Sequence, residues 1–213
     1  MHSTIQNYFK FPLIKNSKLP VVKWSKKENL TKEPIDTSKY NIGIPTGTIN
    51  NLLVVAIDTK DNGIEEFQMY VSQFGEPNTY KQSSPNGGYH YFLKFTSSIT
   101  SDNYLIQNCL TTSSKYRGCG IDIRANGGYI VSAPSSINGI DYKVINDIEP
   151  VEIPSTLITF LLTGCIQDTK QTKPMIKNIA SSIIASKCDI IYKISDEELM
   201  KLLLRLPIQY QNN

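Results

Sequence analysis

Residues 51–63, Asn51-Leu52-Leu53-Val54-Val55-Ala56-Ile57-Asp58-Thr59-Lys60-Asp61-Asn62-Gly63, constrain the fold of this chain more than any other stretch. An unbroken apolar run rich in Val and Leu, bounded by Asn on one side and by Asp, Asn and Gly on the other, reads as a buried strand entering a turn. Side chains alternate faces along a strand, so Val54, Ala56 and Asp58 share one face and Val55 and Ile57 the other. A carboxylate at the end of a buried strand costs solvation energy unless a cation meets it. Taken alone, Asp58 is equally well read as the residue that opens the turn, a place that favours Asp.

The segments around this strand alternate in type. Residues 1–25 mix apolar and basic residues around Pro12 and Pro20 and fit short strands or an opening helix, and 26–39 fit a loop or short helix. Asn41 to Thr48 reads as a short strand ending in a glycine turn. Ile64, Phe67, Tyr70, Val71 and Phe74 recur at helical spacing, and Gly75-Glu76-Pro77 stops that helix. Residues 79–82 are extended, 83–88 form a turn, and 89–95 form a strand. Residues 96–118, rich in Ser and Thr, are expected to be mobile, with a short element near 104–110. Strands follow at 120–124, 129–133 and 140–144, then a helix at 154–162. Residues 167–174 have a linker's composition, 177–187 fit a helix, and Ser195 with Glu198 forms a capping box for a last helix. Its meeting with Pro207 just before the chain stops implies a piece of a longer protein.

With 213 residues, the chain is long enough for one domain with a large core or for two small ones. No apolar run reaches the length of a membrane span, and the N-terminus lacks the layout of a secretion signal. Cysteines 109, 119, 165 and 188 have no metal-ligand spacing and read as thiols of an intracellular protein. Residues 1–40 hold eight lysines against Glu28, Glu33 and Asp36, with Tyr8, Phe9, Phe11, Trp24 and Tyr40 interleaved. That pattern suits either an ordinary solvated face or a path for a nucleic-acid backbone.

Three stretches carry the chemistry: Asp58 after the apolar strand, Ser84-Pro85-Asn86-Gly87-Gly88-Tyr89-His90 entering a strand, and Gly120-Ile121-Asp122-Ile123-Arg124 before a Gly-Gly turn. Carboxylates on two strands suit a hard divalent cation that keeps positions open for phosphate oxygens. Gly87 and Gly88 permit close backbone approach to a ligand. His90 and Arg124 offer charge-assisted hydrogen bonds to a triphosphate. Each has a plainer reading as well: His90 as a core histidine, the glycine pairs as hairpin turns, Arg124 as a solvated or salt-bridged strand residue.

In this order the stretches resemble the bifunctional primase/polymerase (prim-pol) domain of the archaeo-eukaryotic primase superfamily. That family has a strand ending in Asp-x-Asp or Asp-x-Glu, then Ser-x-His or Gly-Gly-x-His, then a hydrophobic residue with Asp. The likeness runs over about residues 8–160. It implies an α+β fold, a mixed RRM-like sheet with flanking helices and a small C-terminal helical segment. The catalytic domain would span 1–165, and 166–213 would lead to a further domain. It implies two-metal nucleotidyl transfer with Mg²⁺ or Mn²⁺ on a single-stranded DNA template, using NTPs or dNTPs. Asp58 and Asp122 would be the metal ligands, and His90 with Ser84, Gly87, Gly88 and, less directly, Arg124 would meet the nucleotide. The family's first carboxylate falls at Ala56. Asp61, three residues beyond Asp58, is off the required spacing, so Ala56 is read as a substitution that weakens the metal site. The tail from Asp196 resembles the start of the segment joining such primases to a viral or plasmid helicase. A composition rich in Lys, Asn and Ile suits an AT-rich viral genome, and a viral replication site or the host cytoplasm or nucleus as location. The alternatives are a non-catalytic nucleotide- or DNA-binding module and a metal-dependent nuclease.

Overall fold

The computed structural model describes residues 3–95, 114–115 and 119–166. The expectations for 104–110, 167–174, 177–187 and the capped helix from Ser195 lie outside these residues, as does nearly all of the stretch expected to be mobile. The chain divides into two units, residues 1–153 and 154–213.

In the first unit, a short 3-10 turn at Ser3–Ile5 precedes β1 (Phe11–Ile14), β2 (Tyr40–Pro45), β3 (Leu52–Ile57), α1 (Gly63–Phe74), β4 (Lys81–Ser83), β5 (Tyr89–Lys94), β6 (Ser114–Lys115), β7 (Ile121–Arg124) and β8 (Tyr129–Ser132). Four short strands follow: β9 (Ser136–Ile137), β10 (Ile140–Asp141), β11 (Lys143–Asn146) and β12 (Val151–Glu152). The fold is α+β. A seven-stranded sheet runs β11-β4-β5-β3-β7-β6, with β12 beside the far end of β5, and a three-stranded sheet runs β1-β2-β8. All pairings are antiparallel except β12 with β5. In the second unit, α2 (Ser155–Ile166) starts after Pro154, whose carbonyl accepts from the Ile158 amide at 3.0 Å. No described helix is long and apolar enough to cross a membrane.

β3 is the centre of the large sheet, and every one of its residues is buried. Its two faces do different work. On one, Leu52, Val54 and Ala56 pack with Tyr80 and Phe92 against Ile42, Ile44 and Ile130 of the small sheet. On the other, α1 lies over the sheet, with Phe67 5.0 Å ring to ring from Tyr91, the registered partner of Val55. Burying each Val or Leu contributes about 1.5–3 kcal/mol, so this strand has little freedom to change register.

Two details depart from the sequence reading. The 140–144 segment is two strands, β10 and β11, because Tyr142 between them turns its side chain inward and its amide donates to Ser135 at 2.8 Å. Lys10 is not part of a solvated basic face. It is 1% exposed, and its Nζ donates to the carbonyls of Gln6 at 2.8 Å and Lys32 at 2.6 Å. Those bonds compensate an ammonium whose pKa burial lowers.

Candidate active site

Register brings three of the singled-out positions into one line. Ala56 on β3 is the cross-strand partner of His90 on β5 and of Asp122 on β7, and Gln82 on β4 extends the line as the partner of His90. Directly opposite residues point to the same face. That face is the one β3 shares with the small sheet, and beyond Ala56 it opens into a pocket of about 280 Å³. Asp58 lies two residues past Ala56 on the same side. Ala56, Asp58, Ser84, His90, Asp122 and Arg124 all border this pocket. Gly87 and Gly88 do not.

The glycines have a different structural use. A Cβ on Gly88 would lie 2.3 Å from the Ile57 carbonyl and 3.3 Å from the Asp58 Cα. The turn therefore presses against the end of β3 and fixes where Asp58 leaves it. Gly87 supplies the left-handed backbone of that turn, at φ 82°. On the other side, the Asp58 amide donates to the Gly120 carbonyl at 2.6 Å, and a Cβ on Gly120 would meet the Lys60 carbonyl at 2.0 Å. Asp58 is thus held between two backbone approaches that only glycine permits. Asp61 adopts a left-handed conformation at φ 53° in the exposed turn and does not border the pocket.

The charges in the pocket are mixed. Arg124 Nη2 donates to Asp122 Oδ2 in a partly exposed ion pair. Lys18 borders the same space, and its backbone carbonyl accepts from the Tyr129 hydroxyl at 2.9 Å. Burial first, and then the positive charges of Lys18 and Arg124, push His90 down to about 3, so its ring is neutral at physiological pH. His90 is only 7% exposed yet borders the pocket, so the core and site readings of this residue describe one and the same position. Burial, with a smaller contribution from Asp58, raises the Tyr142 phenol to about 12, which leaves it a hydrogen-bond donor.

Several residues at or behind the pocket wall were not legible as site residues in the sequence. Gln82, which lies behind His90 and does not itself border the pocket, carried no motif; its one signal was a polar residue in an extended run. Lys18 and Trp24 come from the basic, aromatic N-terminal stretch and Tyr129 from the residue after a glycine pair. Trp24 stacks on Phe11 with ring centroids 5.8 Å apart and meets Tyr129 edge-on at 5.3 Å, which ties that stretch to the pocket rim.

As a donor set, Asp58 and Asp122 fit one hard divalent cation that keeps water or phosphate in its other positions. A pair of cations needs more: among the described residues no group of three His, Cys, Asp or Glu could hold a metal. Ala56, opposite Asp122 and two residues before Asp58, presents only a methyl to this face.

A sheet-borne pair of carboxylates beside cationic and N–H donors is chemically compatible with a divalent cation and phosphate oxygens. Residues 4–156 match the family of bifunctional DNA primase/polymerase N-terminal (Prim-Pol) domains, and the chain belongs to that family. The class of activity is accordingly that of a DNA primase/polymerase, a nucleotidyltransferase acting on DNA and nucleotides, and such enzymes generally use divalent metals. A comparison with curated proteins finds no match.

Proposed function

We propose that the chain is a template-directed primase/polymerase domain that joins NTPs or dNTPs on single-stranded DNA, and that Ala56 impairs it. The observation that carries this reading is the convergence of Asp58, Asp122, His90 and Arg124 on one pocket around Ala56. In the reaction a 3′-hydroxyl gives up its proton to solvent, its oxygen bonds the α-phosphorus, the bond from that phosphorus to the bridging oxygen breaks, and pyrophosphate leaves. Asp58 and Asp122 would hold Mg²⁺ or Mn²⁺, which when bound offsets the charge of the transferring phosphoryl group. Arg124 and Lys18 supply fixed positive charge at the pocket wall, and Ser84 and His90 supply hydrogen-bonding groups to the phosphates. Exposed lysines of the N-terminal stretch, with Tyr40 at its surface, hold the template by charge and stacking. The sheet is of RRM-like type, and residues 166–213 lead towards a helicase domain in a viral or plasmid replication protein acting inside the cell.

A second reading, a nucleotide-binding module without catalysis, is favoured by one observation, the methyl at Ala56. Calorimetric titration of a nucleoside triphosphate with Mn²⁺, beside an assay of template-dependent pyrophosphate release, separates the two. The proposal expects triphosphate binding that weakens tenfold or more in Asp58→Asn/Asp122→Asn, with pyrophosphate release measurable in Ala56→Asp. Triphosphate binding without release in Ala56→Asp supports the module. Cleavage of DNA without any triphosphate supports a nuclease.

A further inference from the structure

Gln82 is fully buried on β4, directly behind His90 in the same cross-strand line. Both of its side-chain N–H donors and one lone pair of its oxygen have partners. Its Oε1 accepts from the Ala133 amide at 3.1 Å, and its Nε2 donates to the Val131 carbonyl at 2.7 Å. The second Nε2 hydrogen faces His90 Nδ1 at 2.9 Å. Flipping the amide would set oxygen against the Val131 carbonyl and NH₂ against the Ala133 amide, two unfavourable contacts in a buried place. The backbone of the small sheet therefore dictates which end of Gln82 meets the histidine.

That orientation decides the chemistry of His90. A ring nitrogen that accepts from an N–H carries no proton, so the hydrogen of the neutral ring sits on Nε2. His90 also borders the pocket that holds Asp58, Asp122 and Arg124. We propose that Gln82 is a positioning residue: it transmits the placement of β8 to His90 and locks the imidazole in its Nε2–H form, so that the pocket receives a hydrogen-bond donor for triphosphate oxygens. The role towards triphosphate rests on the primase/polymerase reading; the tautomer itself does not. An imidazole free to exchange tautomers presents a donor only part of the time, and a donor that is already set loses less on binding.

The chain has only two histidines, so nitrogen-15 histidine labelling gives two rings, and His2→Asn assigns the remaining one to His90. The nucleotide-free chain is expected to show protonated Nε2 and bare Nδ1. Gln82→Met keeps the length and removes the donor, and is expected to mix the two tautomers and weaken triphosphate affinity about fivefold to tenfold. Gln82→Glu keeps the acceptor for Ala133 but places a carboxylate on His90, and is expected to move a proton to Nδ1. Melting curves of both variants identify any that does not fold, and the native spectrum alone keeps the tautomer assignment testable. A native Nδ1–H ring overturns the proposal whatever the protein's activity. A shifted tautomer with unchanged triphosphate affinity, when His90→Ala loses affinity, overturns the positioning role. Absence of triphosphate binding by the native chain overturns the functional reading, and Gln82's role towards phosphate with it.

Discussion

Asp122 stands directly opposite Ala56 across the β3–β7 pair, and its carboxylate is engaged by Arg124, two residues along its own strand. In a strand of period two, Asp122 and Arg124 share a face, so the ion pair is a local consequence of their spacing. Asp122 is the more buried partner, at 13% side-chain exposure against 38% for Arg124. The guanidinium thus engages an oxygen that the proposed cation would need. Arg124→Gln is expected to tighten Mn²⁺ binding in the absence of nucleotide about threefold to tenfold, matching the ~1 kcal/mol of a partly exposed pair. The same variant is expected to weaken triphosphate binding. Titration with the paramagnetic signal of free Mn²⁺ measures the first, and unchanged Mn²⁺ affinity would remove Arg124 as a competitor.

His90 links stability to pH. The groups that face it are Gln82 at Nδ1, the Tyr142 ring at 5.8 Å between centroids, and the charges of Lys18 and Arg124. Its folded pKa is depressed to about 3 from 6.5, chiefly by burial. Below 6.5 the unfolded chain therefore binds a proton that the folded chain does not, and stability falls as pH drops from 6.5 towards 3. The slope from one such group approaches about 1.4 kcal/mol per pH unit. Urea denaturation at pH 7.5 and pH 5 is expected to show a larger loss in the native chain than in His90→Gln. Equal losses would mean that His90 takes up its proton while folded.

Local periodicity made the scaffold of this site legible. The six-residue apolar run of β3, the helical spacing of Phe67 and Tyr70 in α1, and the Gly-bounded strands β5, β7 and β8 all fall where the sequence sets them. The two-residue strands β6, β9 and β12 were not legible, because their pairing depends on partners far away in sequence. Lys10 read as surface charge and is buried, since what replaces its water is two backbone carbonyls contributed by Gln6 and Lys32. The same limit hid Gln82. Its meaning arises from Val131 and Ala133, which only the packing of the small sheet brings to it. The meeting of Ala56 with Asp122 and His90 was half legible: motif order named the residues, and strand register made them neighbours.

Gly88 tests how closely the site depends on backbone contact. A methyl there would sit 2.3 Å from the Ile57 carbonyl and 3.1 Å from Ser84 Oγ, which itself accepts from the Gly88 amide at 3.1 Å. Nothing flexible stands at the first contact, so Gly88→Ala must move the turn or the end of β3. The expected cost is about 1–3 kcal/mol, the range for overpacking a tight place. Because Asp58 follows Ile57, divalent-cation affinity is expected to fall along with the melting temperature. Gly139→Ala is the control: unlike Gly88 it has a left-handed backbone, at φ 75°, but its Cβ would meet nothing within 4 Å and it does not border the pocket. Equal effects of the two substitutions on cation affinity would show that close approach at Gly88 does not place Asp58.

Ala56→Asp is the decisive substitution. The new carboxylate would stand in a position now only 5% exposed, opposite Asp122 on one side and His90 on the other, on the face that Asp58 shares. Like charges directly opposite on paired strands repel, and burial adds a desolvation cost. In a chelator the variant is therefore expected to melt below the parent, by the equivalent of about 1–3 kcal/mol. A divalent cation reverses the sign. Three carboxylates on one face supply the ligands that two lack, and a ligand that binds the folded state at a hundredfold excess over its Kd contributes about 2.7 kcal/mol. Mn²⁺ is expected to raise the melting temperature of Ala56→Asp well beyond its effect on the parent. Primer synthesis should rise by ~10²-fold or more, the size of effect typical of one charge contact made in the transition state. Triphosphate affinity should change less, because Ser84, His90 and Arg124 are untouched. Thermal melts with and without Mn²⁺ and a primer-synthesis assay on both proteins check each part. Equal activity together with an equal Mn²⁺ shift would mean that the parent already has a complete metal site, and that the methyl of Ala56 does not stand in a ligand's place.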